Sequence, residues 1–217
     1  MNLITPPKGI IFDCDGTLVL TEHIYTKAYQ IILASHNIIL TDEEIKTRYS
    51  GQSLFSAIQK IAEEFGIIDP DFVRKFDSIC TQEKKQGLIE TTGTRQTIQK
   101  LIQEKIKYAI ASNAPQDVIG ENIKILPEIQ LPKDLIISAC DYKRFKPDPF
   151  IFELAAYNLG LDMSRTLIIE DSSSGVEAAL QTNSTPIIIL NGNNDHMVEK
   201  YPNVEKIQDM REILNYL

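Results

Sequence analysis

The stretch "GIIFDCDGTLVL" (residues 9–20) places two aspartates, Asp13 and Asp15, one residue apart at the end of an apolar run, with Gly16 and Thr17 directly after. Carboxylates this close repel each other, so the turn must keep both in water or bring positive charge to them. Alternation along a strand turns the intervening Cys14 away from its neighbours and into packing, which makes it a poor candidate for catalysis. The run itself is short and almost continuously apolar, the pattern of a strand covered on both faces. Similar runs recur at "KYAIASN" (107–113), "DLIISACD" (134–141), "TLIIED" (166–171) and "TPIIIL" (185–190). Between most of them lie segments with helical spacing, at 93–105, 148–160 and 174–183. Strand alternating with helix predicts an α/β fold with a parallel, Rossmann-like sheet.

One interval breaks the alternation. Residues 20–87 carry four helical patterns and no strand pattern, including "TDEEIKTRYS", where Thr41 and Glu44 form a capping box, and a stretch that ends at Gly66. The expected organisation is therefore a core of residues 1–19 and 88–217, with a small helical domain of 20–87 inserted after the first strand. A chain of 217 residues with 43% hydrophobic content can bury a sizeable core. Its net charge of −8 argues against general nucleic-acid binding while leaving room for a small anion held by local cations. Three widely spaced cysteines, Cys14, Cys80 and Cys140, point to a reducing compartment, and no run reaches membrane-spanning length. A cytoplasmic monomer is expected. His23, His36 and His196 show no metal-ligand spacing.

The polar residues with chemical potential fall at the ends of the apolar runs: Asp13 and Asp15; Ser112 and Asn113; Lys146 in "KPDP" (146–149); and Glu170 and Asp171. In open α/β sheets, ligands bind outside the carboxyl ends of the strands. Neighbouring strands would gather these groups into one crevice. Clustered carboxylates favour a hard divalent cation such as Mg²⁺, which would offset their repulsion. Ser112, nearby backbone N–H groups and Lys146 would cradle a phosphate. One aspartate can attack phosphorus while the other shuttles the proton. Taken singly, each signal has an ordinary reading as a turn, a cap or a surface lysine. Their joint order is far more specific.

The motifs "DCDGTL" (13–18), "ASN" (111–113), "KPDP" (146–149) and "EDSSSG" (170–175) resemble, in order and over almost the whole chain, those of the haloacid dehalogenase superfamily. The helical insert stands where a subgroup of that family carries a cap domain. The resemblance implies a Mg²⁺-dependent phosphatase working through an aspartyl-phosphate. Asp13 is then the nucleophile and a metal ligand, and Asp15 the acid–base that also lends its backbone carbonyl to the metal. Asp171 is a direct metal ligand, and Glu170 an indirect one. Ser112, Asn113, Gly16 and Thr17 hold phosphate, the last two as the turn that lets Asp15 and backbone N–H groups face the site, and Lys146 bridges nucleophile and phosphate. Lys146 and Mg²⁺ together should keep Asp13 ionised.

Asp15 argues for phosphate esters, because the dehalogenases and phosphonate-cleaving members lack this second acid. Within the family, the chain is similar to the subgroup of 6-phosphogluconate phosphatases and β-phosphoglucomutase-like enzymes. The mutase alternative is weakened by Tyr25, where those enzymes carry a histidine. It is weakened again by Ser50 and Leu54, which flank Gly51 where they have lysine and arginine. Leu20 is a further departure, since relatives often read "LVDSE" where this chain reads "LVLTE". The expected substrate is a small phosphorylated metabolite, a sugar or sugar-acid phosphate. Glu22, Tyr25, Arg48, Gly51 and Gln52 are the insert's candidate readers of it. A binding protein on an inactivated fold is disfavoured because every motif residue is present.

Overall fold

In the computed structural model, which describes residues 6–217, the opening apolar run forms β1 (Gly9–Phe12), in which Ile10, Ile11 and Phe12 are wholly buried. The chain then makes a short β2 (Val19–Leu20) and four helices: α1 (Glu22–Ser35), α2 (Asp42–Tyr49), α3 (Leu54–Phe65) and α4 (Phe72–Lys84). It returns through β3 (Ile89–Glu90), which ladders with β2. The remainder alternates: α5 (Thr94–Gln103), β4 (Lys107–Ser112), α6 (Gln116–Asn122), β5 (Ile136–Ser138), α7 (Ala139–Tyr142), α8 (Phe150–Leu159), β6 (Thr166–Glu170), α9 (Ser173–Leu180), β7 (Thr185–Ile189), α10 (Met197–Lys200) and β8 (Glu205–Ile207).

The main sheet runs β5-β4-β1-β6-β7-β8, with all five neighbouring pairs parallel. From β1 the chain builds β4 and β5 to one side, then crosses back to lay β6, β7 and β8 on the other. The carboxyl ends beside β1 therefore form a topological switch point, the place where open α/β sheets bind ligands. Phe12 is in register with Ile110 of β4 and with Ile169 of β6. That register brings the residues just past β1 level with the last residues of both neighbours. On one face, Ile11, Ala109, Ala111, Ile137 and Ile168 pack with Phe152, Ala155 and Ala156 of α8. Small alanines on β4 and α8 let the helix lie close to the strands.

The chain divides into two compact units. One comprises the residues up to Leu20 together with Glu90–Leu217, and the other is Thr21–Ile89. The second unit has its own core, with Ile24, Tyr29, Leu33, Tyr49, Ile61 and Phe76 among its members. Thr41 and Glu44 form the expected capping box on α2, and Gly66 ends α3 in a left-handed conformation.

The strand expected over 134–141 is shorter in the structure. β5 stops at Ser138, whose hydroxyl accepts the Cys140 N–H at 3.2 Å and starts α7 instead. A serine cap there ends the ladder before the apolar run does. Among the described residues, no helix is long and apolar enough to cross a membrane.

Candidate active site

The carboxyl ends of β1, β4 and β6 gather the residues singled out by position. Asp13 follows β1 directly, and its N–H donates to Ile169 of β6 at 3.0 Å. Its carboxylate accepts Lys146 Nζ at 2.5 Å, and the same ammonium donates to Glu170 Oε1 at 2.6 Å. The third neighbour of Lys146 Nζ is the ring of Phe152, with its centroid at 4.8 Å. All three charged groups lie out of solvent: Asp13 is 6% exposed, Lys146 5% and Glu170 0%.

Local sequence explains how Lys146 is held. Its backbone N–H donates to Asn113 Oδ1 at 2.9 Å, tying it to the end of β4. Beyond it, Asp148 accepts the Phe150 N–H at 2.9 Å and Pro149 opens α8, so "KPDP" fixes a helix start and a lysine together. Ser112 closes β4 almost fully buried, and its hydroxyl accepts the Ala114 N–H at 3.1 Å. The Asn113 Nδ2 is shielded from water and has no hydrogen-bond partner among the described residues.

On the other side of β1, Glu170 ties down its own turn. Its Oε2 accepts the N–H groups of Asp171 and Ser172, each at 3.1 Å, and the Ser172 hydroxyl at 2.9 Å. Ser172 in turn caps α9 through the Gly175 N–H. Gly175 is required there because a Cβ would run into the Glu170 carboxylate. Gly16 is required for a similar reason: its φ is +83°, and a Cβ would collide with the Asp171 carboxylate. Thr17, fully buried, donates its hydroxyl to Asp171 Oδ1 at 3.2 Å. The Gly16 N–H donates to Val19, 2.7 Å away.

Three asparagines at the site escaped the sequence reading. Asn191 Nδ2 donates to Asp171 Oδ2 at 3.1 Å and to the Gly16 carbonyl at 2.9 Å. Asn194 Nδ2 donates to the Asp171 carbonyl at 2.8 Å. Asn122 Nδ2 donates to Asp15 Oδ1 at 2.8 Å. The cluster "NGNND" after the fifth apolar run was the one available signal, and it reads locally as a loop.

Electrostatics bear on a metal. Burial pushes the Asp13 carboxyl well above the usual carboxylate range; Lys146 pulls it down, while Glu170 and Asp15 push it further up. Burial also opposes the charge on Lys146, yet Asp13 and Glu170 outweigh it and hold the ammonium above its ordinary range. One lysine therefore does not balance the cluster. Asp13, Glu170 and Asp171, all buried, each bring a carboxylate oxygen within 4.8 Å of the others. Hard oxygen donors carrying excess buried negative charge are the donor set of a divalent cation such as Mg²⁺.

The five residues expected to read substrate lie in the helical unit, where Glu22 opens α1. Tyr25 packs against Phe76, with ring centroids 5.8 Å apart. Arg48 pairs with Glu64 at 3.3 Å, and the Gln52 amide donates to the Arg48 carbonyl. Gly51 adopts φ +74° between them.

Comparison with known proteins agrees with this chemistry. The pattern of the family described as haloacid dehalogenase-like hydrolase matches residues 10–189. A phosphorylated carbohydrates phosphatase of Thermotoga maritima is 30% identical over 79% of this chain and 80% of its own length. A 6-phosphogluconate phosphatase of Escherichia coli is 25% identical over 80% and 78%. The crystal structure of a hydrolase from Pseudomonas syringae superposes with a TM-score of 0.79 at 25% identity, covering 96% of this chain and 97% of that one. A match that spans most of the chain decides the family: the protein belongs to the haloacid dehalogenase-like hydrolases.

Proposed function

We propose that this hydrolase is a cytoplasmic, monomeric, Mg²⁺-dependent phosphatase of a small phosphorylated metabolite, a sugar or sugar-acid phosphate. The enzyme class is that of a phosphoric monoester hydrolase. The observation that carries the reading is the buried Asp13–Lys146–Glu170 bridge beside Asp171 at the switch point of the sheet. The substrate class rests on the relatives named for phosphorylated carbohydrates and 6-phosphogluconate.

In this reading Asp13 attacks phosphorus. A bond forms from its carboxylate oxygen to phosphorus while the ester P–O bond breaks, and Asp15 gives its proton to the departing oxygen. Asp15 then takes a proton from the water that cleaves the aspartyl-phosphate, which returns both residues to their starting state. Lys146, Ser112 and the Asn113 amide hold the phosphoryl oxygens; a buried donor with no protein acceptor, as Asn113 Nδ2 is, suits an anionic ligand. The Gly16–Thr17 turn keeps Asp171 in place. Asp13, Asp171 and the Asp15 carbonyl, with Glu170 behind them, would hold Mg²⁺, which supplies positive charge to the phosphoryl oxygens. The helical unit acts as the cap. There Tyr25, Arg48, Gly51 and Gln52 read the leaving group.

Asp13→Asn is expected to lower hydrolysis of p-nitrophenyl phosphate by roughly 10⁴-fold or more, with an unchanged circular dichroism spectrum. Near-normal turnover would overturn the mechanism. Product analysis by NMR distinguishes hydrolysis from sugar-phosphate isomerisation, with free phosphate as the expected product.

A further inference from the structure

We infer that Asn122 is a positioning residue for proton transfer: its amide fixes Asp15 in the geometry that serves the leaving group. Asn122 is the last residue of α6, the helix that follows β4, and it is 0% exposed. Its Nδ2 reaches Asp15 Oδ1 at 2.8 Å. Burying a primary amide costs free energy unless it is hydrogen-bonded. Here the amide is directed at a residue 107 positions earlier in the chain, so tertiary structure and not local turn chemistry brings the pair together.

The choice of partner suits the task. An ionised carboxylate only accepts hydrogen bonds, which orients the amide with its nitrogen towards Asp15. An amide nitrogen only donates, so Oδ1 remains an acceptor when Asp15 is protonated and the proton resides on Oδ2. The contact survives both halves of the cycle because Asn122 carries no charge. A general acid displaced by about 1 Å loses up to roughly 10²-fold in rate, so a donor that selects one rotamer of Asp15 has a measurable effect.

The inference rests on the reading of Asp15 as the acid–base, and the test separates the two. Asn122→Leu removes the donor at similar volume. Release of the first equivalent of alcohol is followed by rapid mixing, with phenyl phosphate and with p-nitrophenyl phosphate. Phenolate is a poor leaving group that needs the proton; p-nitrophenolate departs without it.

The expected result is phenol release slowed by about 10- to 100-fold, p-nitrophenol release changed by less than about threefold, and an unchanged KM for both. Asp15→Asn should show the same selectivity with a larger loss. Equal slowing of both esters by Asn122→Leu would make Asn122 structural and overturn the inference. So would unchanged rates in Asn122→Leu alongside a selective loss in Asp15→Asn. If Asp15→Asn itself shows no selectivity, the reading of Asp15 fails first. Should Asn122→Leu not fold, Asn122→Ser, whose hydroxyl falls short of Asp15, is expected to give the same selective loss; loss of the fold in both overturns the positioning role.

Discussion

Lys146 and Arg48 are both cations set between two carboxylates, in different units of the molecule and to different ends. Lys146 bridges Asp13 and Glu170 with its side chain 2% exposed. Arg48 bridges Glu64 at 3.3 Å and Glu44 at 3.9 Å with its side chain 32% exposed. Water and salt screen the second arrangement, so it adds little to stability and can be altered cheaply. The first cannot be altered in part, because removing one member leaves a buried charge without a partner. A costly buried network persists where the reaction needs its charges. The wet network of the helical unit remains open to variation, as suits the substrate-reading role proposed for it.

This contrast can be broken in several ways. Lys146→Met leaves Asp13 and Glu170 facing each other; it should cost about 3–5 kcal/mol by urea unfolding and lower turnover about 10²- to 10³-fold. Asn191→Leu takes one donor from Asp171 Oδ2 and should weaken Mg²⁺ binding by about 10- to 100-fold in a calorimetric titration. Arg48→Met should cost no more than about 1 kcal/mol in the same unfolding assay. A loss as large as that for Lys146→Met would erase the distinction between the two networks.

The smallest effect concerns Asp69 in the helical unit, which lies 2.7 Å from Lys75 Nζ and 3.2 Å from His36 Nε2. Lys75 first, then the Asp71 N–H and His36, hold its carboxyl at about 2 against a usual 3.8, over the opposing effect of burial. The folded value lies below the unfolded one, so this stabilisation is complete above about pH 4 and fades as pH falls through about 2. An acid titration of Asp69→Asn should be flatter than that of the native chain across that window.

The sheet and the acids at its edge were legible because both repeat a local pattern: an apolar run, then polar residues in a turn. The helical insert was legible from its spacing and from Thr41, Glu44 and Gly66. Where the patterns were short, they gave no signal. β2, β3 and β8 are two or three residues long and carry no periodicity. Asn122, Asn191 and Asn194 were illegible for a different reason. A single asparagine in a helix or loop reads as a surface residue, and only the tertiary register reveals which carboxylate it meets. Thr17 was assigned to the turn from its neighbours, but its hydroxyl contact with Asp171 spans 154 positions and left no trace in spacing.

The central position of β1 has a consequence for how the chain comes into being. Its two partners begin at Lys107 and Thr166, so during translation both edges of the strand that leads into Asp13 wait for segments made much later. The helical unit emerges in the interval with a core of its own, and such units fold as they become complete. Glu170 and Asp171 reach Asp13 and Asp15 only after β6 has left the ribosome. By then Lys146, 24 positions before Glu170, has already been made. Pairing over such sequence distance is slow, and a chain interrupted before β6 would present β1 as an open, apolar edge, a natural target for chaperones.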